Sequence, residues 1–375
     1  MRNTTTTKAS CSNWVEVDLS AIRGNIQYYL KHTHVQVMAV VKANAYGHGL
    51  IPVARAALSA GATWCGVARV EEALELRKSG IDCPLLLLGY TPPDRYDEMV
   101  ANQVSMTIWD QNQLTLASQA AGRTGEAARL HLKIDSGMSR LGVQAEEALE
   151  MAHSIAATPG ALFEGVFTHF ARADEADPAP SNLQEKRFRS AIEALESSGL
   201  LPSLVHAANS AAGLTRPSAY FNIIRPGIAI YGLQPSADFP LPLEFHPALQ
   251  WKTVLSQVKV LPPGRGVSYG HIYTTRSMER IGTLPIGYAD GFRRTSGNLA
   301  LVGGKRVPVV GRVCMDQVMV QLDSVPEAAA GDEVVLIGRQ GDETLWVEEL
   351  AQKWGTINHE VVCGLTARVP RYYLE

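Results

Sequence analysis

The chain has 375 residues, 46% hydrophobic and 19% charged, which is ordinary for a globular protein with one large or two moderate domains. A formal net charge of −3 argues against a nucleic-acid binder, which would carry a basic face or tail. Five scattered cysteines (Cys11, Cys65, Cys83, Cys314, Cys363), odd in number and without CxxC spacing, argue against a disulfide framework and a zinc site. They favour a reducing compartment, so a cytoplasmic protein is expected. No stretch is long and apolar enough to span a membrane.

Residues 1–13 contain four consecutive threonines and no apolar signal-peptide core, and are expected to form a short disordered leader. Trp14 to Leu19 then alternates like a half-buried strand. Ser20 is placed to cap a helix whose Ile22, Ile26 and Leu30 share one face. From there a rhythm sets in. Short apolar runs that read as strands occur at 35–42, 63–68, 84–88, 103–108, 129–134, 162–168, 203–206 and 222–225. Helical patterns such as Val70 to Arg77 and Ala145 to Ala152 lie between most of them. Alternation of this kind implies a parallel sheet, and eight repeats over some 200 residues predict an α/β fold, a closed (β/α)8 TIM-like barrel, across 14–245. An open doubly wound sheet is the competitor, but no GxGxxG follows the first strand. Residues 234–248 carry four prolines and read as a linker. Beyond them, runs at 254–260, 280–285, 306–310, 314–322 and 333–337, with one late helix at 347–354, predict a second, mainly β domain over 246–375.

Polar residues fall where such a barrel keeps its chemistry, at the C-terminal ends of the strands. The first run ends on Lys42, followed at once by the small residues and glycines of Ala43 to Gly49. Burial would strip that amine of water, lower its pKa and make it a usable nucleophile or base. Lys133 and Asp135 end the fifth run and His169 the sixth. His206, Asn209 and Ser210 end the seventh, and Arg225 the eighth. Each has an ordinary explanation as a hydrogen-bonded core group or a rim charge; their coincidence at one rim carries the functional reading. Asn209-Ser210 and Pro226-Gly227-Ile228 follow strands seven and eight, where barrels often hold a phosphate on backbone N–H groups. A rim lysine facing a phosphate site is what a pyridoxal phosphate (PLP) enzyme needs.

The segment Ala39-Val-Val-Lys-Ala-Asn-Ala-Tyr-Gly-His-Gly49 resembles the PLP-lysine signature of bacterial alanine racemases. So do His131 to Gly142, Val166-Phe-Thr-His-Phe170, His206 to Ala212, Ile224 to Gly232, Val267-Ser-Tyr-Gly270, Pro285 to Gly291 and Gly311 to Gln317, in the family's order along nearly the whole chain. The resemblance implies a PLP barrel plus a β domain in a homodimer whose active sites join the barrel of one subunit to the β domain of the other. It implies that Lys42 holds PLP covalently and serves as one base, with Tyr269 of the partner subunit as the second. Arg225 would contact the pyridine nitrogen, with His169 linking it to the tyrosine. Tyr46, Asn209, Ser210, Gly227, Ile228 and Tyr288 would bind the cofactor. Arg140 and the Met315 backbone N–H would bind the substrate carboxylate. The family's residue at the Lys133 position is often carbamylated and orients the arginine.

One departure stands out. Where the family commonly has a tyrosine in a segment like Leu365-Thr-Ala-Arg-Val-Pro-Arg371, this chain has Ala367. The lost volume predicts tolerance of substrates larger than alanine, serine first. Three weaker readings compete. A decarboxylase of the same PLP fold would use Cys314, and a non-catalytic PLP-homeostasis protein would keep Lys42 but generally lack residues 249–375. A barrel hydrolase bridging metals through Lys133 would need clustered histidines, which are absent from the sequence pattern.

Overall fold

The computed structural model describes residues 11–375. The leader expected at 1–13 falls mostly outside them, and Asn13 already opens the first strand. The chain forms two compact units. One comprises Ala21–Ala45 and Gly49–His246, the other the residues up to Ser20, Tyr46–His48 and Pro247–Glu375.

The first unit is the barrel. Its parallel strands are β2 (Gln36–Val40), β3 (Trp64–Val67), β4 (Leu85–Leu87), β5 (Val104–Ile108), β6 (Ala128–Asp135), β8 (Ala161–Phe167), β9 (Leu204–His206) and β10 (Ile223–Ile224), hydrogen-bonded in the order β10-β2-β3-β4-β5-β6-β8-β9. A two-residue strand, β7 (Val143–Gln144), pairs with the end of β6. The circle is nearly closed between β9 and β10, where Arg225 N–H donates to Ala208 O at 2.9 Å and Val205 N–H to Asn222 Oδ1 at 2.8 Å. Every residue of β3, β4 and β5 is buried, as expected of parallel strands covered on both faces. Met38, Trp64, Leu86 and Ile223 fill one cluster of the core. Amphipathic helices cover the strands; in Val70–Lys78 it is Val70, Ala73 and Leu76 that are buried.

The second unit is mainly β, with β1 (Asn13–Asp18), β11 (Leu249–Val254), β12 (Gln257–Leu261), β15 (Glu279–Leu284), β16 (Leu299–Val302), β17 (Lys305–Val310), β18 (Val318–Gln321), β19 (Glu333–Gln340), β20 (Glu343–Leu345) and β21 (Arg371–Leu374). Their order is β12-β15-β18-β17-β16-β19-β11-β1-β21, with β20 on β19 and a separate hairpin of β13 (Gly266–Val267) and β14 (Tyr273–Thr274). The late helix is present at Val347–Trp354.

Three sequence expectations change. β1 pairs with β11 and β21 in the second sheet, so residues 14–20 do not belong to the barrel as the 14–245 boundary supposed. Trp14, Val15, Glu16 and Val17 are all buried; Glu16 is tolerated there because Trp14 Nε1–H donates to it at 2.9 Å and Lys252 Nζ lies 3.2 Å away. Ser20 does not cap: the helix is Leu19–Thr33, and Ser20 Oγ donates back to Asp18 Oδ1 at 2.6 Å. The run at 314–322 is a strand only from Val318, because the carbonyls of Cys314 and Met315 accept from Tyr288 and Ala289 instead of from a neighbouring strand.

Candidate active site

The backbone leaves β2 through an unusual turn. Ala43, Asn44, Ala45 and Tyr46 all have positive φ, between 51° and 54°, in the left-handed region that non-glycine residues avoid. The turn is held by specific bonds. Ala43 N–H donates to Glu72 Oε1 at 2.6 Å, Leu50 N–H to Asn44 Oδ1 at 2.8 Å, and Ala45 N–H to Val41 O at 2.7 Å. Lys42, half-buried, stands at its start. Sustained strain of this kind collects at functional sites.

Arg225 is buried just after β10, the strand paired with β2. Its Nη1 donates to His206 Nδ1 at 2.8 Å, and Nη2 to Thr168 O at 2.7 Å, Ala207 O at 3.1 Å and His169 Nδ1 at 3.3 Å. Phe167 packs beneath it, 5.2 Å from ring centroid to guanidinium. Burial lowers its pKa to about 9, still cationic at neutral pH. His169 is held well below the ordinary imidazole range by burial and then by the charges of Arg225, Lys133, Arg140 and Lys42. Five of the predicted residues therefore share one electrostatic basin.

Lys133 is buried at the end of β6, its Nζ 4.6 Å from the Phe167 ring centroid and without a hydrogen-bond partner. Burial and the neighbouring Arg225 and Arg140 push its pKa far down. The loop carrying Arg140 is wound around Asp135, whose Oδ1 accepts from the N–H groups of Gly137, Met138 and Ser139 at 2.9, 3.0 and 3.0 Å. Arg140 itself is exposed.

The expected phosphate residues also converge. Asn209 caps the turn Ser210–Thr215 through Oδ1, which accepts from Ala212 N–H at 3.0 Å. Ser210 Oγ accepts from Gly227 N–H at 2.9 Å and Ala229 N–H at 3.3 Å, so Ser210, Gly227 and Ile228 form one buried cradle. Val40 N–H donates to Pro226 O at 3.1 Å, which ties that cradle to the strand leading to Lys42.

The remaining predicted residues lie in the second unit. The buried ring of Tyr46 is 6.0 Å from that of His359, and burial with nearby Cys363 raises its pKa. Tyr269 and Met315 are 71% and 53% exposed and line a cleft of about 760 Å³ with Ser268, Cys314 and Gln317. Tyr288 N–H donates to Cys314 O at 3.1 Å, and a Cβ on Gly287 would sit 2.2 Å from Met315 O, so only glycine admits this packing. Sequence reasoning missed His131 and Glu164, which continue the bonds of His206 (2.9 Å from His206 Nε2 to His131 Nδ1, then 3.2 Å from His131 Nε2 to Glu164 Oε2). No local signal marked them, since β6 also carries Arg129, Lys133 and Asp135 and Glu164 is only partly buried.

Residues 17–235 match the alanine racemase N-terminal domain and residues 248–373 the alanine racemase C-terminal domain. The chain is 44% identical over 366 residues to an alanine racemase of Desulfovibrio desulfuricans, covering 96% of this chain and 98% of that one. It is 45% identical over 369 residues to alanine racemase 1 of Bacillus subtilis, covering 96% and 93%. Among solved structures, alanine racemase from Bacillus anthracis with bound L-Ala-P superposes with a TM-score of 0.92 at 42% identity, over 97% of this chain and 95% of that one. The enzyme of Streptomyces lavendulae gives 0.93 at 38%, over 97% of each. Sequence and fold thus agree, and the chain belongs to the alanine racemase family, isomerases that interconvert the enantiomers of alanine.

Proposed function

We propose that this chain racemises alanine with pyridoxal phosphate by a two-base mechanism, as a homodimer in the cytoplasm. The observation that carries the reading is Arg225, buried with its Nη1 and Nη2 donors committed to His206, His169 and two carbonyls. None of these bonds uses Nε–H, which can donate to a pyridine nitrogen.

The donor set fits the cofactor. Lys42 would hold its aldehyde carbon; the Ser210–Gly227–Ile228 cradle, with Asn209, Tyr46 and Tyr288, would hold its phosphate. When bound, pyridoxal phosphate withdraws electrons from the substrate α-carbon and so acidifies its α-hydrogen. Lys42 Nζ would take or return that proton on one face, and Oη of the partner subunit's Tyr269 would do so on the other. A tyrosine near its reference pKa of about 10 is a poor base. His169 accepts from Arg225 at Nδ1, so its proton lies on Nε2, a donor suited to stabilising the phenolate. Arginine donates and does not give up its proton, so it leaves the ring nitrogen unprotonated and the electron withdrawal modest. That favours prompt return of a proton to the α-carbon over transamination. Arg140 and Met315 N–H would hold the substrate carboxylate. Lys133, the pKa of its amine held well down by burial and by Arg225 and Arg140, is suited to the carbamate that the resemblance implies and would orient Arg140.

Serine is the first larger substrate. Ala367 is exposed, and next to it Arg368 Nη2 donates to Asp316 Oδ1 at 2.7 Å, beside Met315. Tyr372 and Tyr373 are committed to β21 opposite Glu16 and Val17, so neither replaces the missing phenol.

Replacing the lysine is the direct test. Lys42→Ala is expected to lower kcat by about 10³-fold or more and to abolish the visible absorbance of lysine-bound cofactor. A purified variant that stays yellow and active would falsify the assignment.

A further inference from the structure

A chain of four side chains runs through the barrel from Arg225 to Glu164, and its donors and acceptors can be ordered in one way only. A guanidinium donates and does not accept, so His206 Nδ1, 2.8 Å from Arg225 Nη1, is the acceptor. Burial and then the charge of Arg225 hold His206 neutral. Its single proton is therefore on Nε2 and is donated to His131 Nδ1 at 2.9 Å. Burial keeps His131 neutral too, so its proton is on Nε2 and is donated to Glu164 Oε2 at 3.2 Å. Glu164 also accepts from the Ser105 hydroxyl and from Arg129 Nη1, the latter at 2.8 Å. Burial pushes its carboxyl up, but the bonds from His131, Ser105 and Arg129 outweigh that and hold it at about 2.

The backbone is shaped to this chain. Register between β6 and β8 slips at Leu130/His131, so Glu164 is the extra residue of a bulge between Phe163 and Gly165. Bulges re-aim a side chain at the expense of one ladder position. A Cβ on Gly165 would lie 2.5 Å from His131 Nδ1, so the imidazole occupies space that only glycine leaves open. Phe167 stacks on His206 with centroids 4.7 Å apart at 13°, fixing the second ring.

We propose that Glu164 is a positioning residue for Arg225. As the terminal acceptor it sets both imidazoles in the Nε2–H tautomer, which keeps His206 Nδ1 open to the guanidinium. A donor at position 164 reverses the order. His131 Nε2 must then accept, His206 Nε2 must accept from His131, and the proton of His206 moves to Nδ1, against the Nη1–H of Arg225. Two buried donors face each other and the guanidinium is pushed from its place. The tautomers stand independently of the cofactor; the consequence for racemisation rests on the reading that Arg225 faces the pyridine nitrogen.

The test uses holoenzyme labelled with 15N-histidine, with solid-state 15N spectra assigned through His131→Asn and His206→Asn. Both rings are expected to be protonated on Nε2 alone; a proton on Nδ1 of either ring, or on both nitrogens, overturns the proposal. Glu164→Lys, a donor only, is expected to move the His206 proton to Nδ1 and lower kcat by about tenfold or more, with KM for alanine changed by less than about threefold. Glu164→Asp, still an acceptor, is expected to stay within about threefold of the parent kcat. A folded Glu164→Lys enzyme with His206 unmoved and kcat unchanged overturns the role. Should lysine prevent folding, Gly165→Ala, whose Cβ displaces the His131 ring, must give the same loss of kcat, and parent activity there also overturns it. Movement of the His206 proton with racemisation intact supports the relay and counts against Arg225 as the partner of the ring nitrogen.

Discussion

Arg225 is surrounded by imidazoles and carbonyls, and among the described residues no carboxylate bonds to it. That environment explains why single residues at the rim were legible from sequence. Lys42, Lys133, His169 and Arg225 each end an apolar run, where a charged or titratable group is conspicuous. The partners behind them were not legible, because nothing local distinguishes His131 from any histidine in a strand. Ala367 was legible only as a departure from a pattern. Its consequence is measurable: Ala367→Tyr is expected to reduce the serine-to-alanine ratio of kcat/KM by about 10-fold, the scale at which a pocket discriminates by a small group. An unchanged ratio would show that the position does not contact the substrate side chain.

Elements were read best where period and burial agree. All eight barrel runs appear as strands, because parallel strands covered on both faces leave near-continuous apolar sequence. β1 misled for the same reason in reverse: its alternation suggested one wet face, yet Glu16 is buried through Trp14 and Lys252. The bulge at Glu164 and the left-handed turn after Lys42 were invisible, since neither changes the hydrophobic pattern. Glycine marks one further element that sequence could not explain. Gly142 has φ of 123°, and a Cβ there would meet Asp135 N at 2.7 Å and Lys133 O at 2.9 Å. Gly142→Ala should therefore unseat the loop of Asp135 to Arg140, costing about 1–3 kcal/mol in thermal or urea unfolding and raising KM for alanine more than it lowers kcat. Parent-like stability and KM would mean that the loop does not depend on this close approach.

At the scale of the molecule, the proposal that each site takes Lys42 from one subunit and Tyr269 from the other has a quantitative test. Lys42→Ala and Tyr269→Ala homodimers should each be inactive or severely slowed. After dissociation and random reassociation, about half of the dimers are mixed, and each mixed dimer regains one complete site, so activity should return to about a quarter of the parent value. No recovery, with mixed dimers demonstrated by mass, would place both bases in one subunit.

The placement of β1 has a consequence in time. It is made early, yet its neighbours in the sheet are β11 and β21, the first beginning roughly 230 residues later and the second ending at Leu374. At about 5–20 residues per second, synthesis leaves β1 without either neighbour for roughly 10–50 s, and by the end of that time every barrel strand has been made. During that interval a strand with Val15 and Val17 on one face presents both of its edges, a state prone to misassociation. The second unit can complete its sheet only once β21 has been made, so removing Arg371–Leu374 would leave one edge of β1 unpaired while β11 still holds the other.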